Sequence, residues 1–269
     1  MKVGIVGIGH LGSWIKESFE KNPKVTVFSY DGPKGIGSKD EINKCDVSFV
    51  CVPTPDLENG DCNTSIVEEV ISWLDTPLIV IGSTIKIGTV DKLAEKYPNK
   101  NIVFSPEYYG ETANHPIAGK SFLQQDFFIF GGDKKSTLKA SEFIRKFINP
   151  TQRIITCSAK EAEFAKYVEN SSFAVKRIWC SELEDLAEKL GINYDSSAFN
   201  LFFDLDKRVT PWHARGGPRG YGGTCLPKDS KALLFKAKEL GVEMELLETT
   251  IKKNEKYKGV SLHDLHPTS

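Results

Sequence analysis

Short apolar runs alternate with amphipathic segments in the first half of the chain. The runs are rich in Val, Ile and Phe, which is typical of buried strands. After the first run, Leu11, Ile15 and Phe19 recur every four residues, the spacing of one face of a helix. Strands that alternate with helices predict an α/β domain with a doubly wound, mostly parallel sheet. The predicted strands cover residues 3–6, 25–30, 47–52, 78–81, 102–104 and 127–130.

The second part of the chain has a helical pattern. Residues 159–190 contain neither Pro nor Gly, good helix formers dominate, and Gly191 follows as a typical helix end. At a rise of about 1.5 Å per residue, this helix would be about 48 Å long. Further helices are predicted around residues 196–205 and 229–240, with an irregular glycine-rich stretch at 211–224 between them. We therefore expect three parts: an α/β domain over residues 1–155, an all-α domain built on one long helix over residues 156–258, and a tail over residues 259–269.

The composition is that of an ordinary globular protein. Of 269 residues, 35 are Lys or Arg and 36 are Asp or Glu, a balance that gives no reason to expect a nucleic acid or an anionic membrane as partner. No apolar run approaches the roughly 18 residues of a transmembrane helix, and the N-terminus lacks the pattern of a signal peptide. The six cysteines form no C-x-x-C pair and the five histidines do not cluster with carboxylates. We therefore expect no metal, and a reducing, cytoplasmic environment.

A glycine motif follows the first predicted strand. Gly7-x-Gly9-x-x-Gly12 leads into the first helix, and there its glycines allow a tight turn, close approach of a pyrophosphate and close packing of helix on strand. Asp31 ends the second strand, 19 residues after Gly12, where a carboxylate accepts the ribose hydroxyls of NAD and repels the 2′-phosphate of NADP. The pattern predicts a Rossmann-like site for NAD. The alternative is a simple glycine turn beside a surface aspartate.

A second glycine-rich motif, GYGGTCLPKD, occupies residues 220–229. Its glycines let Cys225 approach a ligand, Pro227 suits the first turn of a helix, and a cysteine near a helix N-terminus is a better nucleophile. Asp229, four residues later, could share the same pocket. From spacing alone, a buried inert cysteine is as good an interpretation as a catalytic one.

Two pairs of polar residues are further candidates. Lys166 and Asn170 lie four residues apart and so share one face of the long helix, although a solvated pair would show the same spacing. Glu107 and Glu111 flank two tyrosines beyond a strand end. Paired acids there either transfer protons or are simply solvated.

Six segments follow one another in an order that is itself informative. They are GIVGIGHLG at 4–12, VCVPTP at 50–55, GSTIKIGT at 82–89, SPEYYGET at 105–112, Glu163-x-x-Lys166-x-x-x-Asn170, and GYGGTCLPKDSKAL at 220–233. Together they resemble the motifs of the UDP-glucose/GDP-mannose dehydrogenase family, over the chain from Met1 to about Tyr257.

The resemblance implies a reaction. A primary alcohol of a nucleotide sugar, similar to UDP-glucose, would be oxidised to the carboxylate in two NAD-dependent steps, and Cys225 would carry first a thiohemiacetal and then a thioester. The other implied catalytic residues are Lys166 and Asn170 for the oxygen that becomes anionic, Asp229 and Thr84 for water and protons, and Glu107 as a base for thioester hydrolysis.

The resemblance also implies two sets of contacts. Cofactor contacts would come from Gly7, Gly9, His10, Leu11, Gly12, Asp31, Pro53, Thr54, Thr84 and Glu111. Substrate contacts would come from Glu107, Tyr108, Tyr109, Lys166, Asn170, Arg208, Gly220, Tyr221 and Gly222. Because the net charge is close to zero, the cations that hold an anionic substrate must be local, and Arg208, Arg215, Arg219 and Lys228 are the candidates.

Partners follow from the same resemblance. In the family the long helix forms a dimer interface, and the arginine that corresponds to Arg208 often reaches the substrate across it. Family members run well past this length and end in a second Rossmann-like domain. We therefore expect a homodimer through the long helix, a sugar nucleotide or smaller sugar as substrate, and a separate chain as a source of a nucleotide-binding domain. The alternatives are a single-step hydroxyacid-type dehydrogenase and a non-catalytic or partner-dependent NAD-binding homologue.

Overall fold

The computed structural model describes residues 1–108, 119–214 and 219–257. The chain forms two compact units. The first contains Met1–Pro55 and Cys62–Lys166, and the second contains Asp56–Asp61 and the described residues from Tyr167 onward. The domain boundary expected between residues 155 and 156 stays a prediction.

One seven-stranded sheet forms the centre of the first unit in the described residues. Its strands are β1 (Lys2–Val6), β2 (Thr26–Tyr30), β3 (Val47–Val50), β4 (Ile79–Ile81), β5 (Ile102–Phe104), β6 (Phe127–Gly131) and β7 (Arg153–Cys157). The order across the sheet is β2-β1-β3-β4-β5-β6-β7, and all neighbours are parallel except the antiparallel pair β5 and β6. This confirms the predicted Rossmann-like, mostly parallel sheet.

Apolar side chains cover both faces of this sheet. The helices of the first unit are α1 (His10–Glu20), α2 (Lys39–Ile42), α3 (Ser65–Trp73), α4 (Thr89–Lys96) and α5 (Lys134–Arg145). Successive residues of a strand point to opposite faces. Accordingly, Val3 and Ile5 join a core cluster with Phe19 of α1, whereas Val6 joins another with Ile71 of α3. Because both faces are covered, the central strands are nearly continuous apolar runs in the sequence, interrupted in β3 by Ser48.

The edge strand β7 is absent from the sequence prediction, which has six strands. It pairs with β6 along one side, and Arg153, Ile155 and Thr156 are exposed. The sequence of β7, RIITC, contains three β-branched residues in a row, which favour a strand. This signal was available, but the run is shorter than those of the predicted strands 25–30 and 47–52 and follows a segment without a clear apolar period.

The second unit is helical. It contains most of α6 (Ala159–Lys189), a π-helical segment (Asp195–Phe203), α7 (Cys225–Glu239) and α8 (Glu245–Tyr257). The 31-residue α6 confirms the predicted long helix, and Gly191 follows it with a φ of +67°. The sequence did not predict α8, because two of the side chains on its buried face, Thr250 and Asn254, are polar and interrupt the apolar period.

Three findings concern membrane-spanning helices, metal ligands and the state of the cysteines. No helix in the described ranges is long and apolar enough to cross a membrane. Within the same ranges, no group of three or more His, Cys, Asp or Glu side chains is placed to hold a metal ion. All six cysteines are free thiols.

Candidate active site

The glycine motif forms the turn between β1 and α1. Gly7 has a φ of +90°, and a Cβ there would lie 2.6 Å from the carbonyl oxygen of Cys51. A Cβ on Gly12 would lie 1.9 Å from the carbonyl oxygen of Gly7, so only glycine lets α1 approach β1 this closely. A Cβ on Gly9 would meet nothing within 4 Å. Gly7 and Gly12 thus shape the turn, and Gly9 leaves open space at the N-terminus of α1.

The residues that open α1 differ in their surroundings. His10 is exposed, whereas Leu11 is half-buried. The Cδ2 atom of Leu11 lies 3.0 Å from the place that a Cβ of Gly82 would occupy. Leu11 therefore packs the glycine turn against the segment that follows β4.

Asp31 lies beside the glycine turn. Its Oδ2 atom accepts a hydrogen bond from the backbone N–H of Ile8 at 2.9 Å. Lys34 Nζ lies 3.6 Å from the same oxygen and also donates to the carbonyl of Ile8. The parallel pairing of β1 and β2 brings the two strand ends together, as the sequence predicts.

The loops after β3 and β4 also meet. Thr54 Oγ1 donates to the carbonyl oxygen of Thr84 at 2.7 Å, and Ser83 Oγ donates to that of Val52 at 2.7 Å. Thr54 is buried, Thr84 is half-buried and Pro53 is exposed. Three of the predicted cofactor residues therefore lie in one loop cluster at the carboxyl end of the sheet.

Lys166 and Glu107 form a buried pair in the first unit. Lys166 Nζ donates to the carbonyl oxygen of Glu107 at 2.6 Å and lies 3.5 Å from its Oε1 atom. The ammonium also lies 5.3 Å from the centre of the Tyr108 ring. Lys166 is 5% exposed, so the solvated reading of this lysine is wrong. Tyr109 and Glu111, which the sequence also proposes, lie outside the described residues.

Glu163 has a role that the sequence motif did not reveal. It is fully buried, and its carboxylate accepts hydrogen bonds from the backbone N–H groups of Gly88 (2.5 Å) and Val90 (3.0 Å) at the start of α4. Burial raises the pKa of Glu163 to about 7, although these two hydrogen bonds act in the opposite direction. The signal available in the sequence was the place of Glu163 in the segment Glu163-x-x-Lys166-x-x-x-Asn170, one turn before Lys166.

Asn170 and Asp229 form a buried pair in the second unit. Asn170 Nδ2 donates to Asp229 Oδ2 at 2.6 Å, and Lys228 Nζ donates to Asp229 Oδ1 at 2.5 Å. Asp229 is 0% exposed, and a neighbouring side chain binds each of its carboxylate oxygens. The solvated reading of Asn170 is therefore also wrong. The two residues are 59 positions apart, and only the packing of α7 on α6 brings them together.

Cys225 is the first residue of α7. The helix begins four residues earlier than the sequence predicts, so Cys225 and Asp229 lie four apart on one face. The Cys225 side chain is half-buried, and its Sγ atom lies 3.7 Å from Thr224 Oγ1. The structure thus provides the helix N-terminus that the catalytic interpretation of Cys225 requires.

The other predicted substrate residues have varied surroundings. Tyr221 is buried, Gly222 is exposed, and Gly220 has a φ of +75°. Arg208 has an exposed side chain that forms an ion pair with Asp206 at 2.7 Å, and its reach to a substrate stays a prediction.

Of the other candidate cations, Arg219 is 3% exposed among acidic side chains of α6, so it is not a surface cation. Arg215 lies outside the described residues.

Family models match segments in both units of the chain. The model of the UDP-glucose/GDP-mannose dehydrogenase family NAD binding domain matches residues 36–148, and that of the family's central domain matches residues 160–256. The chain is 26% identical over 253 residues to a protein of Rickettsia felis and 29% identical over 236 residues to one of Rhizobium meliloti, both named UDP-glucose 6-dehydrogenase. These alignments include 91% and 82% of this chain, but 53% and 52% of the relatives. The chain thus spans about half the length of these curated relatives.

Solved structures share the fold. A UDP-glucose dehydrogenase from Pyrobaculum islandicum has a TM-score of 0.79 at 21% identity, with 95% of this chain and 68% of that chain covered. A Mycobacterium tuberculosis 3-hydroxyisobutyrate dehydrogenase has a TM-score of 0.67 at 17% identity, with 95% and 93% covered.

The family matches also bear on the cofactor. They confirm the prediction of NAD, because one matched model is that of an NAD binding domain. The six motifs, the sheet with its glycine turn, and the matches over residues 36–148 and 160–256 agree with one another. The chain belongs to the UDP-glucose/GDP-mannose dehydrogenase family.

Proposed function

We propose that this chain oxidises a primary alcohol of a nucleotide sugar to the carboxylate, with NAD as hydride acceptor and Cys225 as nucleophile. The observation that carries the proposal is the position of Cys225 at the start of α7, four residues before the buried Asp229 that Asn170 contacts. The family membership and the relatives named UDP-glucose 6-dehydrogenase support the reaction class.

The cofactor residues fit NAD. The open space at Gly9 lies at the N-terminus of α1, where free backbone N–H groups favour a pyrophosphate. Asp31 lies beside this turn, where it accepts from the Ile8 N–H, and it would accept ribose hydroxyls. NAD, when bound, would accept a hydride in each oxidation step. His10, Leu11, Pro53, Thr54 and Thr84 border the same end of the sheet and complete the proposed contacts.

Cys225 is the best nucleophile among the six cysteines. Burial raises the pKa of the thiols of Cys45, Cys51, Cys157 and Cys180, which disfavours their thiolate forms. Cys62 is fully buried. Cys225 is half-exposed at a helix N-terminus, a position that favours a reactive thiolate.

The reaction then proceeds in two oxidations. Loss of the first hydride and a proton would turn the alcohol into an aldehyde, and the Cys225 thiolate and a proton would add to it to form a thiohemiacetal. Loss of a second hydride and a proton would leave a thioester, which water would hydrolyse to the carboxylate, the Cys225 thiolate and two protons. Each turnover consumes two NAD⁺ and one water, and releases two NADH and three protons with the carboxylate.

The remaining residues would stabilise charge and move protons. Lys166 is a buried cation and Asn170 a buried amide donor, so each suits an oxygen that becomes anionic. Asp229 and Thr84 would position water or shuttle protons, and Glu107 would be the base for thioester hydrolysis. Tyr108, Tyr109, Arg208 and the turn 220–222 would contact the substrate.

We also propose a homodimer in the cytoplasm. Four exposed apolar residues of α6, and a fifth directly after its last residue, recur at spacings of 4, 11, 7 and 4, which place them along one stripe. They are Phe164, Val168, Trp179, Leu186 and Leu190. Six free thiols suit a reducing compartment. The supply of a nucleotide-binding domain by another chain stays a prediction.

The test is NADH production with a panel of sugar nucleotides and of free and phosphorylated sugars. We expect two NADH per acid formed, and Cys225→Ser should reduce acid formation by at least about a thousandfold. The variant Cys157→Ser is the matched control and should keep the wild-type rate. A Cys225→Ser protein that makes acid normally would exclude the thioester route. One NADH per substrate without need of Cys225 would indicate the hydroxyacid-type reaction, and NAD binding without turnover would indicate a non-catalytic homologue.

A further inference from the structure

The turn that carries Cys225 is held upstream by two helices. The backbone N–H of Gly220 donates to Ser181 Oγ of α6 at 3.1 Å. The backbone N–H of Tyr221 donates to Asn254 Oδ1 of α8 at 2.7 Å, and Asn254 Nδ2 donates back to the Tyr221 carbonyl oxygen at 3.0 Å. One amide side chain thus satisfies both backbone groups of Tyr221, much as a neighbouring strand would.

These contacts are buried and leave little freedom. Asn254 is 2% exposed and Ser181 is 0% exposed. A Cβ on Gly220, where φ is +75°, would lie 2.6 Å from Asn254 Oδ1. Hydrogen bonds in such surroundings are strong, and losing one partner leaves a buried polar group unsatisfied. The backbone at residues 220–221 therefore has one well-defined position.

Ion pairs hold the residue before the turn. The guanidinium of Arg219 contacts the carboxylate of Asp185, and its Nη2 atom lies 3.3 Å from Glu188 Oε2. Tyr257 of α8 donates from its hydroxyl to Asp185 Oδ2 at 2.7 Å. The acidic side chains of α6 thus contact Arg219 directly, and α8 is linked to Arg219 through Asp185.

The downstream part of the turn is open by contrast. Gly222 and Gly223 are exposed, and a Cβ on either would meet nothing within 4 Å. Thr224, the residue before α7, makes no side-chain capping hydrogen bond to its first turn in the described part of the chain. A first turn without such a cap lacks one of the usual supports of a helix N-terminus. The anchor at Tyr221, three residues before Thr224, therefore contributes to the position of Cys225.

We propose that Asn254, together with Ser181, is a positioning residue for Cys225. Asn254 holds the backbone of Tyr221 and so limits the positions that the thiol at the start of α7 can take. This inference rests on the proposed role of Cys225 as nucleophile. Asn254 acts only through the turn and has no contact with reacting atoms.

The test uses the full chain with the variants Asn254→Asp and Ser181→Ala. Asp has the shape of Asn, but it places a carboxylate oxygen against the Tyr221 carbonyl in place of the donor. Ser181→Ala removes the acceptor for Gly220 through a different helix. The control is Thr250→Ala, which removes a side chain that is 3% exposed one turn earlier on α8. Trypsin releases residues 220–228 as one peptide, so iodoacetamide labelling of Cys225 can be measured separately from the other thiols.

We expect both variants to increase the labelling rate of Cys225 at least threefold, because the half-buried thiol becomes more accessible. With UDP-glucose, kcat should fall at least tenfold while KM for NAD stays within twofold. Thr250→Ala should change neither. A purely structural role would lower the active fraction and leave both the labelling rate of folded protein and the turnover of each active molecule unchanged.

Unchanged labelling of Cys225 in both variants would overturn the proposal, and so would faster labelling with an unchanged kcat. If the wild type produces no NADH from any sugar nucleotide, the proposed function fails. The labelling rates then decide by themselves whether Asn254 and Ser181 hold Cys225 in place.

Discussion

Glu163 joins the beginning of α6, which belongs to the first unit, to α4 through one buried carboxylate. It accepts from Gly88 and Val90 at the start of α4, and so replaces the side-chain cap that Gly88, at the N-cap, lacks. Lys166 follows three residues later on α6 and contacts Glu107 after β5. At the residue scale, the beginning of α6 is thus fixed by polar contacts from both sides, which sets the position of a proposed catalytic lysine.

The titration of Glu163 makes the stability depend on pH. Burial raises its pKa from the ordinary 4.5 to about 7, so between these values the folded state binds more protons than the unfolded state. The free energy of unfolding should therefore fall as pH rises from about 4.5 to about 7, by on the order of 3 kcal/mol for this group. Urea unfolding of wild type and Glu163→Gln at pH 5, 6 and 7 measures this change in the free energy of unfolding.

In the variant Glu163→Gln, residue 163 does not titrate. The free energy of unfolding of wild type should therefore fall relative to that of Glu163→Gln as pH rises from 5 to 7. The exposed residue Glu17 is the control, and Glu17→Gln should follow the wild type at each pH. A difference between wild type and Glu163→Gln that is constant from pH 5 to pH 7 would contradict the shifted pKa.

At the scale of an element, two glycines of the turn between β1 and α1 have different roles, one in folding and one in the proposed binding of NAD. Gly12 allows the helix to pack on the strand, because a Cβ would lie 1.9 Å from the Gly7 carbonyl oxygen. Gly9 has a φ of −90°, which any residue can adopt, and a Cβ there would meet no protein atom within 4 Å. The fold therefore requires glycine at position 12, and the proposed NAD site requires glycine at position 9.

The variants Gly9→Ala and Gly12→Ala should separate these requirements. Gly9→Ala should melt within about 2 °C of wild type but bind NAD at least tenfold more weakly, because the new methyl group occupies the approach of the pyrophosphate. Gly12→Ala should lose about 1–3 kcal/mol of stability through the backbone clash. Thermal melts and calorimetric titration with NAD measure both effects. Wild-type NAD affinity in Gly9→Ala would exclude the proposed cofactor site.

At the scale of the whole molecule, the apolar stripe on α6 is the most evident interaction surface. Leu186 and Leu190 are 55% and 62% exposed and lie one turn apart, at the end of a stripe that begins at Phe164. Exposed apolar residues that repeat along one helix face are typical of a helix that packs against another. This pattern supports the proposed homodimer.

The dimer can be tested by charge substitution. Wild type should have a mass of about 60 kDa in light scattering, twice the 29.9 kDa of one chain. The double variant Leu186→Glu/Leu190→Glu should be monomeric, because buried unpaired carboxylates are costly. Leu138→Glu on α5, where the side chain is 56% exposed, is the matched control and should stay dimeric. A dimeric Leu186→Glu/Leu190→Glu protein would show that the stripe is not the interface.

The sequence by itself determined the α/β class with six of the seven strands, the long helix, the resemblance to the family and the chemistry of the motifs. Each of these is a pattern of residues that lie close together along the chain. Alternating apolar runs define the buried strands, and the absence of Pro and Gly from 159–190 defines α6. The neighbourhood of Asp31 and the glycine turn was also predictable, because parallel strands end at the same edge of the sheet.

Only the tertiary structure decided which distant side chains meet. Asn170 pairs with Asp229 across 59 residues, Glu163 reaches Gly88 across 75, and Asn254 reaches Tyr221 across 33. A polar residue inside a helix has the same sequence pattern whether it faces water or a buried partner. Burial distinguishes the two, because an unpaired polar group is costly only away from water, and burial is set by how the helices pack.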